Sequence, residues 1–384
     1  MKSLSHFMHW LETHWSTPSY SGWVLIGIGL CFFGAATNTM AGWLYVLSGI
    51  MAALLIVSAW SALRSLNHLQ VQRLPITPVS AGDDLIIDLE IQNKTPKAKL
   101  LLEIRDILPY VLQKPQTIAI EAIPPQTSQK WVYYLPTQRR GIYHWEEVEL
   151  RTGNPFGLFW CSRTRIVPAK AIVYPQVLPL PQCPLIDTIG QEDSTRLQSN
   201  HRYSKATEGV TRTLRSYRYG DPTRLIHWRT SARLGDFKVR ELEVITGSQD
   251  IIICLDSSFA WEKESFEQAV IAAASLYFYA SKSQMNVQLW TAKTGIVAGN
   301  RVVLETLAGV ETEESLVSAP LPETPLIWLT QNLATLESLH AYSRWLFFSH
   351  PQNLSAPMRE ESLGIVINLN ESLAPQLQQP LKQV

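Results

Sequence analysis

The stretch DIIICLD, Asp250–Asp256, decides the fold of the C-terminal half of this sequence. A short and nearly continuous apolar run of this kind is typical of a strand buried in a parallel sheet. Behind it, Trp261–Ser283 carries apolar residues at spacings of three and four, which predicts a helix. A strand followed directly by a helix is the repeating unit of an α/β sheet. We therefore expect a parallel sheet whose first strand begins at Asp250.

The rest of the C-terminal half repeats this alternation. It predicts strands at Asn286–Thr291, Leu326–Thr330, Trp345–Ser349 and Gly364–Leu369, and helices at Arg301–Gly309 and Leu333–Ser343. The predicted fold class is α/β, with a doubly wound parallel sheet and right-handed crossovers. Ligands bind such sheets at the carboxyl ends of the strands, and Asp256 lies at that edge.

A motif lies directly before this sheet, from Glu208 to Val244, and reads EGVTRTLRSYRYGDPTRLIHWRTSARLGDFKVRELEV. It closely resembles the signature of the domain-of-unknown-function family 58, R-x-Y-x-x-G-D-x-x-R-x-I-x-W-x-x-S-A-R, with a K/V-R-E tail. The matching residues are Gly209, Arg215, Tyr217, Gly220, Asp221, Arg224, Ile226, Trp228, Ser231, Ala232, Arg233, Val239, Arg240 and Glu241. Upstream, Arg140–Tyr143 and Asn154–Phe159 also match what such proteins carry ahead of the motif.

The resemblance implies an architecture and a partner. It implies an N-terminal membrane hairpin, a β domain and a von Willebrand A-like α/β domain. Members are often encoded beside MoxR-type AAA+ ATPases, so the implied partner is such an ATPase. No enzymatic activity is established for the family as a whole. We therefore expect no enzymatic activity and no cofactor.

The resemblance also says where a metal site would lie. A full von Willebrand A domain binds a divalent cation through D-x-S-x-S, a Thr from a later loop and a further Asp. This sequence supplies Asp256 and Ser258, but Ala260 replaces the second Ser, and Gln331-Asn332 follows the strand where an Asp is common. Because Mg²⁺ dehydrates reluctantly, one carboxylate and one hydroxyl rarely hold it. The site is expected to be degenerate, with Asp256 capping its turn or pairing with an Arg.

Charge separates the motif from the sheet. Residues 202–240 contain ten basic and three acidic residues, a net charge of +7, whereas residues 250–384 contain seven basic and fourteen acidic residues, a net charge of −7. The first interpretation is an internal clamp, with Arg215, Arg224 and Arg233 on carboxylates such as Asp221 and Glu241, and Trp228 offering a face for stacking. The second is a surface for an acidic partner, and the third a site for phosphate or anionic lipid. Nucleic acid is not expected, since no recognised binding fold accompanies the charge.

The motif also holds the residue types of a catalytic triad, in Asp221, His227 and Ser231. However, His227 and Ser231 lie four residues apart on one short segment, whereas a triad converges from separate elements. The chain contains no G-x-S-x-G and no Walker sequence. A structural role for His227 is the preferred interpretation.

The middle of the chain, residues 75–175, predicts a β-sandwich-like domain. Its segment Asp84–Gln92 reads DLIIDLEIQ, and alternation with a period of two indicates a half-buried strand. Similar segments are Leu100–Ile107, Gln116–Ala122, Gln129–Leu135, Tyr143–Leu150 and Arg165–Tyr174. Leu66–Pro78 is expected to be a linker before this domain, and residues 176–205 a loop or linker after it, followed by the motif and α/β domain at 206–384.

The N-terminal region predicts a transmembrane hairpin at residues 21–63. Tyr20–Asn38 and Ala41–Trp60 are each about 20 residues long, the length a membrane helix needs. A cleaved signal peptide is the alternative. Lys2, Arg64 and Arg73 flank the hairpin and its loop has no basic residue, so the positive-inside rule places residues 1–20 and the domains in the cytoplasm. The predicted location is the cell membrane.

Composition agrees with a partly membrane-embedded chain. The 384 residues carry 33 basic and 33 acidic side chains, and the charged fraction of 17% is below the roughly 25% of soluble domains. The four cysteines form no C-x-x-C pair, which argues against a zinc cluster. Together these features predict a non-enzymatic, membrane-anchored interaction protein, an adaptor for a MoxR-type ATPase in protein assembly or maturation. The alternative is a protein that binds its ligand through Mg²⁺ or Mn²⁺ at Asp256 and Ser258.

Overall fold

The computed structural model describes residues 15–188, 210–218, 223–243, 250–315, 326–336, 339, 343–349 and 363–381. The predicted N-terminal segment 1–20 therefore lies largely outside the described residues. The chain divides into two compact units, Met1–Tyr174 and Pro175–Val384. Each unit has its own apolar core.

The first unit begins with two long apolar helices, α1 (Tyr20–Thr39) and α2 (Gly42–Ser65). The Ser19 hydroxyl caps α1 by accepting a hydrogen bond from the Gly22 N–H. Met40 ends α1 in the left-handed conformation, with φ of 51°, and the chain reverses there within two residues. At 1.5 Å per residue the helices are about 30 and 36 Å long, enough to cross a hydrocarbon core of about 30 Å.

These helices are not core helices of a soluble fold. Most of their side chains are exposed, among them Trp23, Trp43 and Trp60 near the ends. A soluble core helix of this apolarity would be buried instead. The predicted pair of apolar segments is confirmed as two helices that are long and apolar enough to cross a membrane.

Two sheets follow the helices in the first unit. A three-stranded sheet has the order β2-β4-β7, and a six-stranded sheet has the order β1-β9-β8-β5-β6 with β3 paired to β9. The strands are β1 (Thr17–Pro18), β2 (Leu69–Arg73), β3 (Val79–Ser80), β4 (Asp84–Asn93), β5 (Lys99–Asp106), β6 (Gln116–Ile123), β7 (Ser128–Pro136), β8 (Gly141–Thr152) and β9 (Phe159–Tyr174). Both sheets contribute to one apolar core, as in a β-sandwich.

The predicted linker 66–78 differs from the structure. Leu69–Arg73 forms β2 and pairs with β4, and Leu66 and Leu69 are buried in the core of the sandwich. The alternation in Leu-Gln-Val-Gln-Arg is the signal of this strand, although only two of its five residues are apolar. The chain therefore enters the sandwich within four residues of the end of α2.

A buried ion pair joins the two sheets. The Arg73 Nη2 donates to both carboxylate oxygens of Asp106 at 2.8 Å, and both side chains are almost fully buried. Asp106 also accepts hydrogen bonds from the Tyr133 hydroxyl at 2.5 Å and from the Trp145 indole nitrogen at 3.2 Å. Burial raises the pKa of the Asp106 carboxyl, and the charge of Arg73 opposes that rise. The four side chains come from both sheets and hold them together.

The helices dock on the sandwich through one loop, residues 153–158. The Ser19 N–H donates to the Leu158 carbonyl at 2.8 Å, and the Asn154 Nδ2 lies 3.4 Å from the Ser65 hydroxyl. A Cβ atom at Gly22 would lie 2.2 Å from the Leu158 carbonyl oxygen, so only glycine permits this approach. The loop therefore contacts the start of α1 and the end of α2 together.

The second unit contains a six-stranded sheet with the order β14-β13-β12-β15-β16-β17. Its strands are β12 (Asp250–Leu255), β13 (Asn286–Thr291), β14 (Gly295–Val297), β15 (Leu326–Thr330), β16 (Arg344–Ser349) and β17 (Gly364–Asn368). All pairings are parallel except that of β14 with β13. The predicted α/β sheet is present, with an antiparallel edge strand that the sequence did not indicate.

Apolar side chains cover both faces of this sheet. Ile251, Ile253 and Leu255 pack on one face, and Ile252 and Cys254 on the other. The motif precedes the sheet as β10 (Val210–Ser216), α3 (Trp228–Leu234) and β11 (Lys238–Glu243). The remaining described helices are α4 (Lys263–Lys282), α5 (Asn300–Gly309), α6 (Leu333–Leu336) and α7 (Leu373–Leu377).

The first part of the predicted linker 176–205 belongs to this core. Cys183, Leu185 and Ile186 are fully buried, and residues 184–188 are helical. The buried Arg344 Nη1 donates to the Leu185 carbonyl at 2.9 Å, and burial raises the pKa of the Cys183 thiol to about 11. These partners lie more than 150 residues apart, which explains why local composition predicted a loop. Residues 189–205 lie outside the described part of the chain.

We expect Asp106→Asn to lower the free energy of unfolding of the first unit by about 3–5 kcal/mol, because it leaves the buried Arg73 charge without its carboxylate. Thermal unfolding monitored by tryptophan fluorescence measures this loss of stability, since Trp131 and Trp145 lie in the core of the first unit. Arg105→Gln is the matched control. Its pair with Glu149 is 3.9 Å long and 51% exposed on the arginine side, so its loss should cost less than about 1 kcal/mol. Equal losses would contradict the inter-sheet role of Asp106.

We expect Gly22→Ala to weaken the contact between α1 and the 153–158 loop by about 1–3 kcal/mol, because the new Cβ overlaps a backbone carbonyl. Hydrogen exchange of the Ser19 amide should become faster. Gly27→Ala in the same helix is the control, since its Cβ meets no atom within 4 Å and alanine favours a helix. Faster exchange in both variants, or in neither, would contradict the close approach at Gly22.

Candidate functional site

The motif folds as two antiparallel strands with a short helix between them. β10 pairs with β11 from Val210 opposite Glu243 to Ser216 opposite Lys238, with a bulge between Thr211 and Thr213. A 3₁₀ turn at Thr223–Leu225 leads into α3, and Ile226 bridges to Val239. The described part of the motif is therefore an ordered substructure in its own right.

His227 and Ser231 attach α3 to β11. The His227 Nδ1 caps the helix by accepting from the Thr230 N–H at 3.2 Å. The buried Ser231 hydroxyl accepts from the Lys238 N–H at 2.8 Å and lies 3.1 Å from the His227 carbonyl oxygen, to which it donates. Gly235 then ends the helix with φ of 78°. Both polar side chains thus hold backbone groups, which is the structural role predicted for His227.

Three aromatic side chains form a row on the motif. The rings of Trp228 and Phe237 meet edge to face at 6.0 Å, and those of Tyr217 and Phe237 at 6.1 Å. Trp228 is 61% exposed and Phe237 is 55% exposed. The motif indicates Trp228 and Tyr217 but not Phe237, because the family signature has no aromatic position there.

Exposed basic side chains occur on the same segment as these rings. Arg218, Arg229 and Arg233 are exposed, while the half-buried Lys238 Nζ donates to the Ser216 hydroxyl at 2.9 Å. We call the exposed Trp228, Phe237, Arg229 and Arg233, together with Tyr217, the motif face. It combines apolar rings with fixed positive charge on one segment of 21 residues.

The predicted internal clamp lies partly outside the described residues. Gly209, Gly220 and Asp221 lie outside the described residues, and Arg224, Arg240 and Glu241 are described by their backbone alone. The Arg215 Nη1 donates to the Ser216 carbonyl at 3.2 Å. Trp228 meets Phe237 edge to face, and Arg233 is exposed. The pairing of the motif arginines with Asp221 and Glu241 stays a prediction.

A second polar cluster lies at the carboxyl end of β12, around the buried Asp256. One carboxylate oxygen accepts from the Ser258 hydroxyl at 2.9 Å, and the other accepts from the Thr330 hydroxyl at 2.8 Å. The Trp261 indole nitrogen donates to the Asp256 carbonyl at 2.6 Å, and the Ser257 hydroxyl accepts from the Ala292 N–H at 3.0 Å. The described partners of the Asp256 carboxylate are therefore two side-chain hydroxyls, and the expected turn cap or Arg pair stays a prediction. Thr330, at the end of β15, is a partner that sequence analysis missed.

These residues fit a divalent cation poorly. Both oxygens of Asp256 already accept hydrogen bonds, and Ser258 and Thr330 would contribute neutral hydroxyls only. Among the described residues, no cluster of three or more His, Cys, Asp or Glu side chains has metal-binding geometry. A hard cation prefers several carboxylate or carbonyl oxygens. The cluster therefore has the character of a structural hydrogen-bond network.

Comparison with solved structures gives only weak likenesses. The CARDB domain of the PF1109 protein from Pyrococcus furiosus is 11% identical over 27% of this chain and 93% of that chain, with a TM-score of 0.18. The alkylpurine DNA glycosylase AlkC from Pseudomonas fluorescens is 11% identical over 40% of this chain and 44% of that chain, with a TM-score of 0.20. Scores this low carry no argument for fold or function.

Sequence comparison gives a clearer relationship. The uncharacterized protein YeaD of Bacillus subtilis (strain 168) is 26% identical over 222 residues, which cover 56% of this chain. The chain spans about half the length of that relative, 54%. Residues 213–301 match the family model described as "Protein of unknown function DUF58", from within the motif to the start of α5. The resemblance predicted from the motif is thus confirmed, since the chain carries a segment that matches the DUF58 family model.

Proposed function

We propose that this chain is a non-enzymatic, membrane-anchored interaction protein, an adaptor for a MoxR-type AAA+ ATPase in the assembly or maturation of other proteins. The observation that carries the proposal is the motif face, where exposed aromatic rings and exposed arginines share one segment, inside the residues that match the family model. The family resemblance supplies the kind of partner.

The chemistry of the motif face suits a protein partner. Trp, Tyr and Arg are the residue types that contribute most to binding energy at protein interfaces. Trp228 keeps 61% of its surface exposed although its indole ring is among the costliest side chains to leave in water. Arg229 and Arg233 add two donors of bidentate hydrogen bonds to carboxylates. An acidic surface with an apolar centre is therefore the partner surface that this face fits.

The two apolar helices supply the proposed anchor. In a hairpin that crosses the membrane, the start of α1 and the end of α2 lie on the same side. These are the two helix ends that contact the 153–158 loop. Arg64, in the last turn of α2, and Arg73, eight residues after the helix, belong to that side, which favours the cytoplasm. A reporter fused after Val384 tests the orientation, and an external signal would contradict it.

The sheet of the second unit supports a von Willebrand A-like domain. Counted from β12, its strand order is 3-2-1-4-5-6, with the third strand antiparallel at the edge. That order is typical of doubly wound sheets, which bind ligands at the carboxyl ends of their strands. In our proposal this domain is a rigid platform that presents the motif and that edge to partner proteins.

The hydrogen bonds of the motif support a non-enzymatic role. A nucleophilic serine needs a base that accepts its proton. The Ser231 hydroxyl donates to a backbone carbonyl instead, and the His227 Nδ1 is occupied by the Thr230 N–H. These two residues therefore maintain the shape of the motif in our proposal.

Cross-linking in native membranes with tagged full-length protein, followed by mass spectrometry, tests the adaptor role. We expect a MoxR-type ATPase among the captured proteins, with cross-links to residues 212–240. Arg229→Gln with Arg233→Gln should reduce this capture several-fold, because it removes two charges from the motif face. Lys282→Gln with Lys293→Gln is the matched control, since these exposed lysines lie elsewhere in the same unit. An ATPase that is present in the cell but absent from the captured proteins would contradict the adaptor role.

The second candidate function is binding of a ligand through Mg²⁺ or Mn²⁺, favoured by the convergence of Ser258 and Thr330 on Asp256. Because hydroxyl donors already satisfy that carboxylate, we expect Mg²⁺ and Mn²⁺ to leave the thermal unfolding of the second unit unchanged. A cation-dependent increase in Tm that disappears in Asp256→Asn would establish this second candidate. Gln331→Ala, next to the cluster, controls for unspecific effects of the substitution.

A further inference from the structure

We propose that the end of the β-sandwich next to the helices is a binding surface for anionic phospholipid headgroups. The proposal rests on the hairpin crossing a membrane, as proposed above. It goes further, because it assigns a lipid-selective role to the sandwich itself.

The sheet registers bring distant segments to this end. Leu69, four residues beyond α2, pairs with Asn93, and Gln92 pairs with Ser128. In the other sheet, Lys99 pairs with Ile123. The turns 94–98 and 124–127 therefore lie at the end of the sandwich where the chain leaves the hairpin.

Hydrogen bonds to the ends of the two apolar helices determine where this end of the sandwich lies relative to the membrane. The Leu158 carbonyl accepts from the Ser19 N–H at the start of α1, and Thr17 pairs with Trp160. At the end of α2, the Lys99 Nζ donates to the Asn67 carbonyl at 3.1 Å and the Arg165 Nη2 to the Leu66 carbonyl at 3.3 Å. Because both apolar helices end here, this end of the sandwich lies where the hydrocarbon core gives way to headgroups.

Basic residues predominate at this end. Segments 64–69, 93–101, 123–128 and 153–162 contain four Lys or Arg residues and neither Asp nor Glu. The basic residues are Arg64, Lys94, Lys97 and Lys99. The next carboxylates along β5 and β8 are those of Glu103 and Glu149, and the Glu149 carboxylate accepts from the Ser162 hydroxyl at 2.6 Å. At the opposite end of β4 the chain instead carries Asp83 and Asp84. We call the four segments the basic end.

Three of the four cations are available to a ligand. Arg64, Lys94 and Lys97 are exposed, and among the described residues no carboxylate forms an ion pair with them. The Arg64 guanidinium lies 4.2 Å above the ring of Trp60, at the end of α2. Basic residues beside a membrane helix attract anionic lipids over about one Debye length.

A polar cleft of about 410 Å³ opens at the basic end. It is lined by Gln92, Asn93, Lys94, Gln126, Thr127 and Ser128. The Lys94 ammonium can pair with a phosphate, while side-chain amides and hydroxyls can bind the glycerol hydroxyls of a headgroup. The exposed Phe156 and Leu101, on neighbouring segments, add apolar contacts of the kind an interface accepts. Phosphatidylglycerol combines these features and is the ligand we name.

The test uses the full-length chain in nanodiscs of phosphatidylcholine alone or of an equimolar mixture with phosphatidylglycerol. Hydrogen exchange of the amides in 93–101 and 123–128 is measured by mass spectrometry. We expect exchange to be several-fold slower with phosphatidylglycerol, and high salt to remove the difference. The double variant Lys94→Gln with Lys97→Gln should abolish the difference in exchange rate between the two kinds of nanodisc. Lys114→Gln with Lys170→Gln, two exposed lysines outside the basic end, should leave it unchanged.

Each contrary result has a distinct meaning. Equal exchange in both kinds of nanodisc, or a difference that persists in the Lys94 and Lys97 variant, overturns the lipid surface while leaving the hairpin in place. Slowing by soluble glycerol phosphate, but not by phosphatidylglycerol, would assign the cleft to a free anion and overturn the proposal. Release of the chain from nanodiscs by alkaline washing would overturn the membrane anchor, and this inference with it.

Discussion

The approach of the Leu158 carbonyl to the first turn of α1 is the constraint on which the first unit depends. The carbonyl accepts the Ser19 N–H at 2.8 Å, and the space it occupies exists only because Gly22 has no side chain. The same loop reaches Ser65 through Asn154. Because one loop holds both helix ends, the hairpin and the sandwich are a single structural element. In the proposed anchor, this docking fixes the position of the sandwich relative to the hydrocarbon core.

Two kinds of chemistry follow from this organisation. The first unit exposes Arg64, Lys94 and Lys97 at its hairpin end, and it holds the buried ion pair of Arg73 with Asp106 between its sheets. The second unit instead satisfies its buried polar groups, as Asp256 shows with Ser258 and Thr330, and exposes aromatic rings on the motif. The first arrangement suits a lipid surface and the second suits a protein partner. An anchored adaptor needs both.

Many of the helices and strands could be predicted because each is indicated by a pattern of neighbouring residues. Apolar runs without charge predicted α1 and α2, and alternation with a period of two predicted six strands of the sandwich. The failures depend on contacts that are distant in sequence or on weak local patterns. β2 is too short and polar to stand out, and residues 183–188 are held in the core by contacts with Arg344 and Tyr279, far along the chain. The motif identified the family, but not that Trp228 is exposed, since tryptophan usually indicates core. Thr330 was missed because a buried strand normally ends in apolar residues.

Cysteine cross-linking in intact membranes tests the union of hairpin and sandwich most directly. Ser65→Cys with Asn154→Cys places two thiols where the native side chains lie 3.4 Å apart. We predict that a short thiol-reactive cross-linker joins these two cysteines rapidly, which is seen as a shift in gel mobility. The control variant is Ser65→Cys with Thr117→Cys, whose second cysteine lies at the other end of the sandwich. We expect no cross-link in this variant. Equal reaction of both pairs, or of neither, would mean that the helices and the sandwich are joined only by chain connectivity.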